Sequence, residues 1–427
     1  MSRRLGNVRW RIAILIGIGI IINYFDRTNI SVATKPLMQQ YGLSKGQMGI
    51  LLSSFAWSYA LLQIPVGALL DKVGVKWINR VGMILWSLAT FMTAMVSGMG
   101  LIIISRVLLG AAEAPAFPSA SKATGYWFPK QERGLASSSF DAAAKFSNVI
   151  GVPIVAYSVT EWGWRGGFWL TGVLSLLYAA AYWIFYRDPK ESKSLGDVER
   201  RYIIEGGAQE SGEAPGGIGK NLSYLLARRK VWGLTIGFAA YGYSFYLFLT
   251  WLPGYLETQM HMSVLKSSGY TIVPWIFATL ADVLIGGWLV DTLIKKGHNP
   301  SRVRKTLMII GMIMGLAVAG AAFTTNANVA IVWITIALSG LAFSAPIGWS
   351  VPALIAPKGT VGIVGSIMNF VNNVMGILAP IVTGFIAGDT GSFALGFVVA
   401  AIVLLIGIAS YLFLLGTIEP MKSPFVD

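Results

Sequence analysis

Gly67-Ala68-Leu69-Leu70-Asp71-Lys72 returns in outline as Gly287-Trp288-Leu289-Val290-Asp291, 220 positions further on (67 to 287, 71 to 291). Each copy closes an apolar stretch and is followed by basic residues. Glycine lets helices approach closely, and a carboxylate at such a place can pair with cationic loop groups or favour a neighbouring helix N-terminus. The same offset carries Arg11, at the start of the first apolar stretch, onto Val231. The chain therefore reads as two related halves.

Working outward, the 427 residues are 55% hydrophobic and only 12% charged, with a mean hydropathy of +0.64. A soluble domain carries about 25% charged residues, so this is an integral membrane protein. Spans of about 20 residues fall near 11–31, 47–70, 77–97, 99–126, 134–158 and 165–186. A second set falls near 231–256, 266–290, 306–324, 328–351, 360–386 and 392–416. The expected fold is all-α, with twelve transmembrane helices in two six-helix halves, 1–187 and 231–427. Residues 188–230, polar and of mixed charge, read as a flexible or partly helical linker. The first span runs on from a basic stretch with no small-residue cleavage site, so it is expected to be retained. Repeated halves with a long central loop suit a carrier that rocks about a midplane site.

Of the 33 Lys and Arg, 26 fall on the side of the termini and four on the other: Lys35, Lys45, Arg165 and Lys266. The positive-inside rule then places both termini in the cytoplasm of a multi-pass cell-membrane protein, the inner membrane of a bacterium. It also accounts for the net charge of +14 without nucleic acid, since these are topology signals beside anionic lipid. Cysteine is absent and both histidines, His261 and His298, lie in polar connections. No metal or cofactor is implied, and a membrane-embedded enzyme lacks its nucleophile or metal constellation. A channel fits the repeated halves and buried charges less well than alternating access does.

Six ionisable residues sit inside three spans: Asp26 and Arg27 in the first, Arg106 and Glu113 in the fourth, Asp141 and Lys145 in the fifth. An ionised group in hydrocarbon costs several kcal/mol unless paired or wetted, so such residues mark a task. Arg106 and Glu113 are two turns apart, on one helix face and about 10 Å from each other. Asp26 and Arg27 point about 100° apart and serve different neighbours. A guanidinium forks onto a carboxylate, which suits Arg27 and Arg106 to a substrate anion or to gating pairs. A carboxyl in a low-dielectric cavity can load and unload protons, which suits Asp26 and Glu113 to proton carriage. Lys145 either pairs with Asp141 one turn away or turns to the cavity and binds substrate. Asp282 in the eighth span fits no pattern. Tyr243 on the seventh helix, Trp349 on the tenth, Asn369 on the eleventh and Tyr59 on the second are candidate substrate contacts, hydroxyl and amide groups being suited to sugar hydroxyls.

Gly67 through Asp71 to Gly74 resembles the signature loop of the major facilitator superfamily, with Gly287 and Asp291 as a degenerate second copy; these four read as gating or structural positions. Further segments resemble its anion:cation symporter family, in particular the bacterial sugar-acid (galactonate, glucarate and hexuronate) proton symporters. They are Asn23-Tyr24-Phe25-Asp26-Arg27-Thr28-Asn29, Phe55-Ala56-Trp57-Ser58-Tyr59, Glu113-Ala114-Pro115-Ala116-Phe117-Pro118 and Thr250-Trp251-Leu252-Pro253. The resemblance implies Asp26 and Glu113 as proton sites and Asn369 as a substrate contact. Lys145 departs from it, since those carriers tend to have a neutral polar residue there; a dianionic or more acidic substrate would explain the change. The expected activity is proton-coupled import of a sugar acid (aldonate, uronate or aldarate) by a monomer. The alternative is an anion exchanger or a carrier for a smaller carboxylate or inorganic anion. Against exchange, the 220 offset carries Arg27 onto Leu247 and Arg106 onto Asn326, both uncharged.

Overall fold

A computed structural model describes residues 6–129, 132–207, 218–357 and 360–422, and within these the chain is helical without strands. The elements are α1 (Val8–Val32), α2 (Thr34–Tyr41), α3 (Lys45–Val73), α4 (Val75–Met95), α5 (Met99–Glu113), α6 (Ala116–Trp127) and α7 (Arg133–Phe185). After α8 (Asp197–Glu205) and α9 (Ile218–Leu226) come α10 (Arg229–Thr258), α11 (Val264–Ala281), a π-helix (Asp282–Leu289) and α12 (Val290–Lys295). The chain ends with α13 (Pro300–Gly315), α14 (Val318–Ala322), α15 (Ala327–Ile355), α16 (Val361–Thr390) and α17 (Ala394–Phe413).

Eight segments are long and apolar enough to cross a membrane by length and composition. One of them is most of α7, whose 53 residues contain Gly163 at φ 71°, ψ 174°, so it comprises two spans joined at a left-handed glycine. The more polar α3, α4 and α10, at 29, 21 and 30 residues, complete twelve. Three spans depart from the regular helices expected. The fourth breaks into α5 and α6 at Ala114-Pro115, where Pro115 and Pro118 withhold N–H donors. The eighth passes from α11 into the π-helix at Asp282. The ninth starts at Pro300, earlier than the apolar pattern indicates, because Asn299 Oδ1 caps it by accepting from Arg302 N at 3.0 Å.

Side-chain contacts bring α1 against α10, α3 against α16 and α7 against α11 at the end that carries Lys45. Ser31 Oγ donates to Thr250 O at 2.6 Å. Lys45 Nζ donates to Ala387 O and Gly391 O, both at 3.3 Å, placing a cation on the C-terminal carbonyls of α16, where the helix dipole favours it. Gly384 of α16 lies so close to α3 that a Cβ there would stand 2.6 Å from Lys45 O. Val264 of α11 packs on the Val152–Val159 face of α7. That end of the molecule is closed.

At the other end buried Arg9 ties three segments together. Its Nε donates to Glu132 at 2.8 Å and its Nη1 to Glu199 of α8 at 2.8 Å, while Tyr202 Oη donates to Glu132 at 2.9 Å. Arg9's hydrogen bond holds the Glu132 carboxyl below its ordinary range. Glu132 therefore stabilises the fold at neutral pH, and its contribution fades as pH falls through that lowered value. Of the signature-loop positions, Gly74 is the C-cap of α3 at φ +88° and Asp291 is exposed on the first turn of α12. Gly67 and Asp71 lie outside the residues whose side groups are described. Arg9→Ala leaves Glu199 buried without its cation, a cost of about 3 kcal/mol. The variant is expected to melt several degrees lower in detergent, and limited proteolysis to cut sooner between residues 188 and 230.

Candidate functional site

The apolar spans leave their polar groups nowhere to go but inward, and five of the six charges noted above are buried: Asp26, Arg27, Arg106, Glu113 and Lys145. Arg27 of α1 donates from Nε to Glu113 Oε2 at 3.3 Å, with Glu113 fully buried at the end of α5. The Arg27 guanidinium lies over three rings at once, Tyr24 at 4.7 Å, Phe55 at 4.6 Å and Tyr59 at 4.7 Å. A desolvated cation gains about 2 kcal/mol from such a face. The rings thus hold the cation while leaving its edge free for hydrogen bonding. Glu113 Oε1 and Arg27 Nη2 have no hydrogen-bond partner among the described residues.

Asp26 points the other way, as consecutive helix positions require. Its Oδ2 accepts from Ser175 Oγ of α7 at 3.0 Å. No cationic side chain of the described residues lies within ion-pair reach of it. Arg106 instead donates from Nη1 to the backbone carbonyl of Asp26 at 3.0 Å, and its guanidinium sits 5.4 Å from the Phe55 ring. One phenyl ring therefore meets both arginines.

Between the two halves of the sequence is a cavity of about 80 Å³. From the first half it is lined by Tyr24, Arg27, Tyr59, Phe117, Asp141 and Lys145. From the second come Tyr241, Tyr246, Trp349, Asn369, Asn372 and Asn373, with Phe238 and Phe245. Tyr246 Oη donates to Asn373 Oδ1 at 3.0 Å. The space is small against the ~300 Å³ or more of ordinary small-molecule sites, so this conformation is contracted. A larger hollow of about 500 Å³ opens beside Trp162, Arg165 and Trp169, and none of the buried charges lines it.

Of the candidates read from the sequence, Arg27, Lys145, Tyr59, Asn369 and Trp349 meet at this cavity. Arg106, Asp26 and Glu113 form a layer behind it and do not line it. Tyr243 does not line it either: two residues from Tyr241 it is turned about 200° around α10, and its buried hydroxyl faces Thr383 of α16. Tyr241 and Tyr246 take the place on the cavity wall. Gln63, one turn from Tyr59 on α3, donates to Ala114 O at 3.4 Å. Lys145 Nζ donates to Asp141 Oδ2 at 2.7 Å and also pairs with Asp282, the first residue of the π-helix. That partner was not legible from any motif. Its signal was an acid in an otherwise apolar span, opposite a buried lysine in another. At the 220 offset from Arg27 stands buried Leu247, and at that from Arg106 stands Asn326, the cap of α15. Among the described residues there is no cluster of three His, Cys, Asp or Glu suited to a metal ion.

Comparison with known proteins agrees with this architecture. The family model of the Major Facilitator Superfamily matches residues 16–380. An uncharacterized transporter of Bacillus subtilis, YybO, is 44% identical over 421 residues, 98% of this chain and 97% of its own length. The D-galactonate transporter of Escherichia coli is 31% identical, with 97% of each chain covered. The crystal structure of a bacterial homologue of the human lysosomal transporter Spinster superposes with a TM-score of 0.76 over 99% of this chain and all of its own, at 19% identity, a likeness of fold. The chain is a multi-pass membrane transporter and belongs to the Major Facilitator Superfamily.

Proposed function

We propose that the protein imports a sugar acid together with protons by alternating access, with both termini in the cytoplasm of a bacterial cell and the closed Lys45 end facing outward. The observation that carries this reading is Arg27. It is a buried guanidinium on the cavity wall, held by three aromatic faces, with a carboxyl as its only ionic partner among the described residues. A substrate carboxylate and Glu113 compete for it. When Glu113 takes up a proton, its hold on Arg27 weakens and the guanidinium can fork onto the substrate. When the substrate leaves, Glu113 recovers its charge and its partner.

Asp26 has the second proton role. It is buried with hydroxyl company and forms no direct ion pair among the described residues, which suits it to carrying a proton. Arg106, bonded to the Asp26 carbonyl and close to the Phe55 ring, positions α1 against α5 and senses that proton electrostatically. The asparagines and tyrosines of α10 and α16 offer the donors and acceptors that sugar hydroxyls need. The two six-helix halves, 1–187 and 231–427, rock about this cavity, which must widen to admit a six-carbon acid. The site lies within one chain, so a monomer suffices. That a relative of 31% identity is named for D-galactonate supports the substrate class. Exchange at a matched arginine pair is disfavoured by Leu247 and Asn326.

In proteoliposomes with an imposed pH gradient, Glu113→Gln is expected to abolish uptake above the outside concentration while substrate counterflow survives. Continued accumulation by the variant would remove Glu113 from the proton pathway. Arg27→Gln is expected to weaken binding about 100-fold, the loss of roughly 3 kcal/mol of charge-assisted hydrogen bonding, measured by titration calorimetry on the purified protein. Unchanged affinity would move the carboxylate site elsewhere.

A further inference from the structure

Lys145 has one carboxylate more than it needs. Asp141, one turn earlier on α7, already neutralises it at 2.7 Å. Asp282 arrives from the second half of the chain, on the π-helix that continues α11, and pairs with the same ammonium group. Two carboxylates on one cation leave a net negative cluster inside the membrane, an arrangement that is costly unless it serves a task. Asp282 and Lys145 are both more than nine-tenths buried. Lys145 also lines the cavity that Arg27 lines, with Tyr24 and Tyr241 within electrostatic reach of it. Among the described residues, Lys145–Asp282 is the one ion pair that joins a helix before residue 188 to one after residue 230.

The geometry points to Lys145 as a second anion subsite of the transport cavity, with Asp282 as its resident counter-anion, so that the fitting substrate carries an acidic group at each end. This rests on the sugar-acid reading given above. One carboxylate binds Arg27 and the other replaces Asp282 on Lys145, so the lysine keeps a counter-anion while the link from α7 to the π-helix breaks and the displaced Asp282 takes up a proton. A monoacid leaves that link intact. The π-helix places the exchange at a locally irregular turn, a feature frequent at functional sites. Specificity and movement are thereby set by the same ion pair, because only a ligand that supplies its own second anion releases it.

The test is equilibrium binding to the purified full-length protein with matched monoacid and diacid pairs, gluconate with glucarate and galactonate with galactarate. The wild type is expected to bind the diacid of at least one pair about tenfold more tightly than its monoacid, a difference of ~1.4 kcal/mol. Lys145→Gln is expected to erase that preference while leaving monoacid affinity within a few-fold. Asp282→Asn is expected to tighten diacid binding several-fold by removing the competitor. The double variant Lys145→Gln with Asp282→Asn lowers the uncompensated charge and serves if the single lysine variant fails to fold; it too should show no diacid preference. Monoacids bound as well as diacids by the wild type, or a preference that survives Lys145→Gln or the double variant, would overturn the subsite and leave the sugar-acid reading standing. No binding of either class would overturn both.

Discussion

A guanidinium cannot shed its charge and cannot sit bare in hydrocarbon. The placement of Arg27 satisfies both constraints, and much of the site follows from it. Three rings from α1 and α3 cover its faces and Glu113 of α5 meets its Nε. Drawing those helices together takes small residues at the contact: Gly110 of α5 lies against the Phe55 carbonyl and Ser58, where a side chain would collide. Phe55 is shared with Arg106, which fixes α1 through the Asp26 carbonyl. The charges in this bundle thus define where its helices can lie, and their partners are few enough that changing one protonation state leaves another group uncompensated.

That economy links chemistry to movement. Among the described residues, four acids (Asp26, Glu113, Asp141, Asp282) and three bases (Arg27, Arg106, Lys145) line this cavity or pack behind the residues that do. An anionic substrate entering this set adds negative charge, and protons are the means by which such a cavity stays near neutrality. The contracted volume and the closed Lys45 end show one conformation of the cycle. The seal there is made of backbone carbonyls, a lysine and glycine contacts, all of which can separate without stranding a buried charge. The buried ion pairs cannot, which suits them to the switching role proposed above.

Much of this was legible in the residues. The 220-residue repeat and the apolar stretches gave twelve spans, and the rarity of charge within them singled out Asp26, Arg27, Arg106, Glu113, Asp141 and Lys145. Helical geometry also anticipated that Asp26 and Arg27 would face different neighbours. Spacing along one helix carries no information about depth relative to a cavity, so Arg106 looks as available as Arg27 in the sequence, yet only Arg27 lines the space. Tyr243 and Tyr241 are chemically alike, and only the rotation of α10 separates them. Asp282 was invisible because its partner is more than a hundred residues away and the π-helix that begins there has no periodic signature. The break at Ala114-Pro115 was implicit in the prolines, though apolar periodicity runs straight across it.

The central claim is that anion and proton move together through the Arg27–Glu113 pair. It is tested most directly by reconstituting the protein in vesicles without any imposed gradient and following external pH as a sugar acid is added outside. The account predicts that the medium becomes more alkaline as substrate enters, and that a protonophore speeds entry by dissipating the opposing proton gradient. Entry of substrate with no accompanying pH change would contradict it.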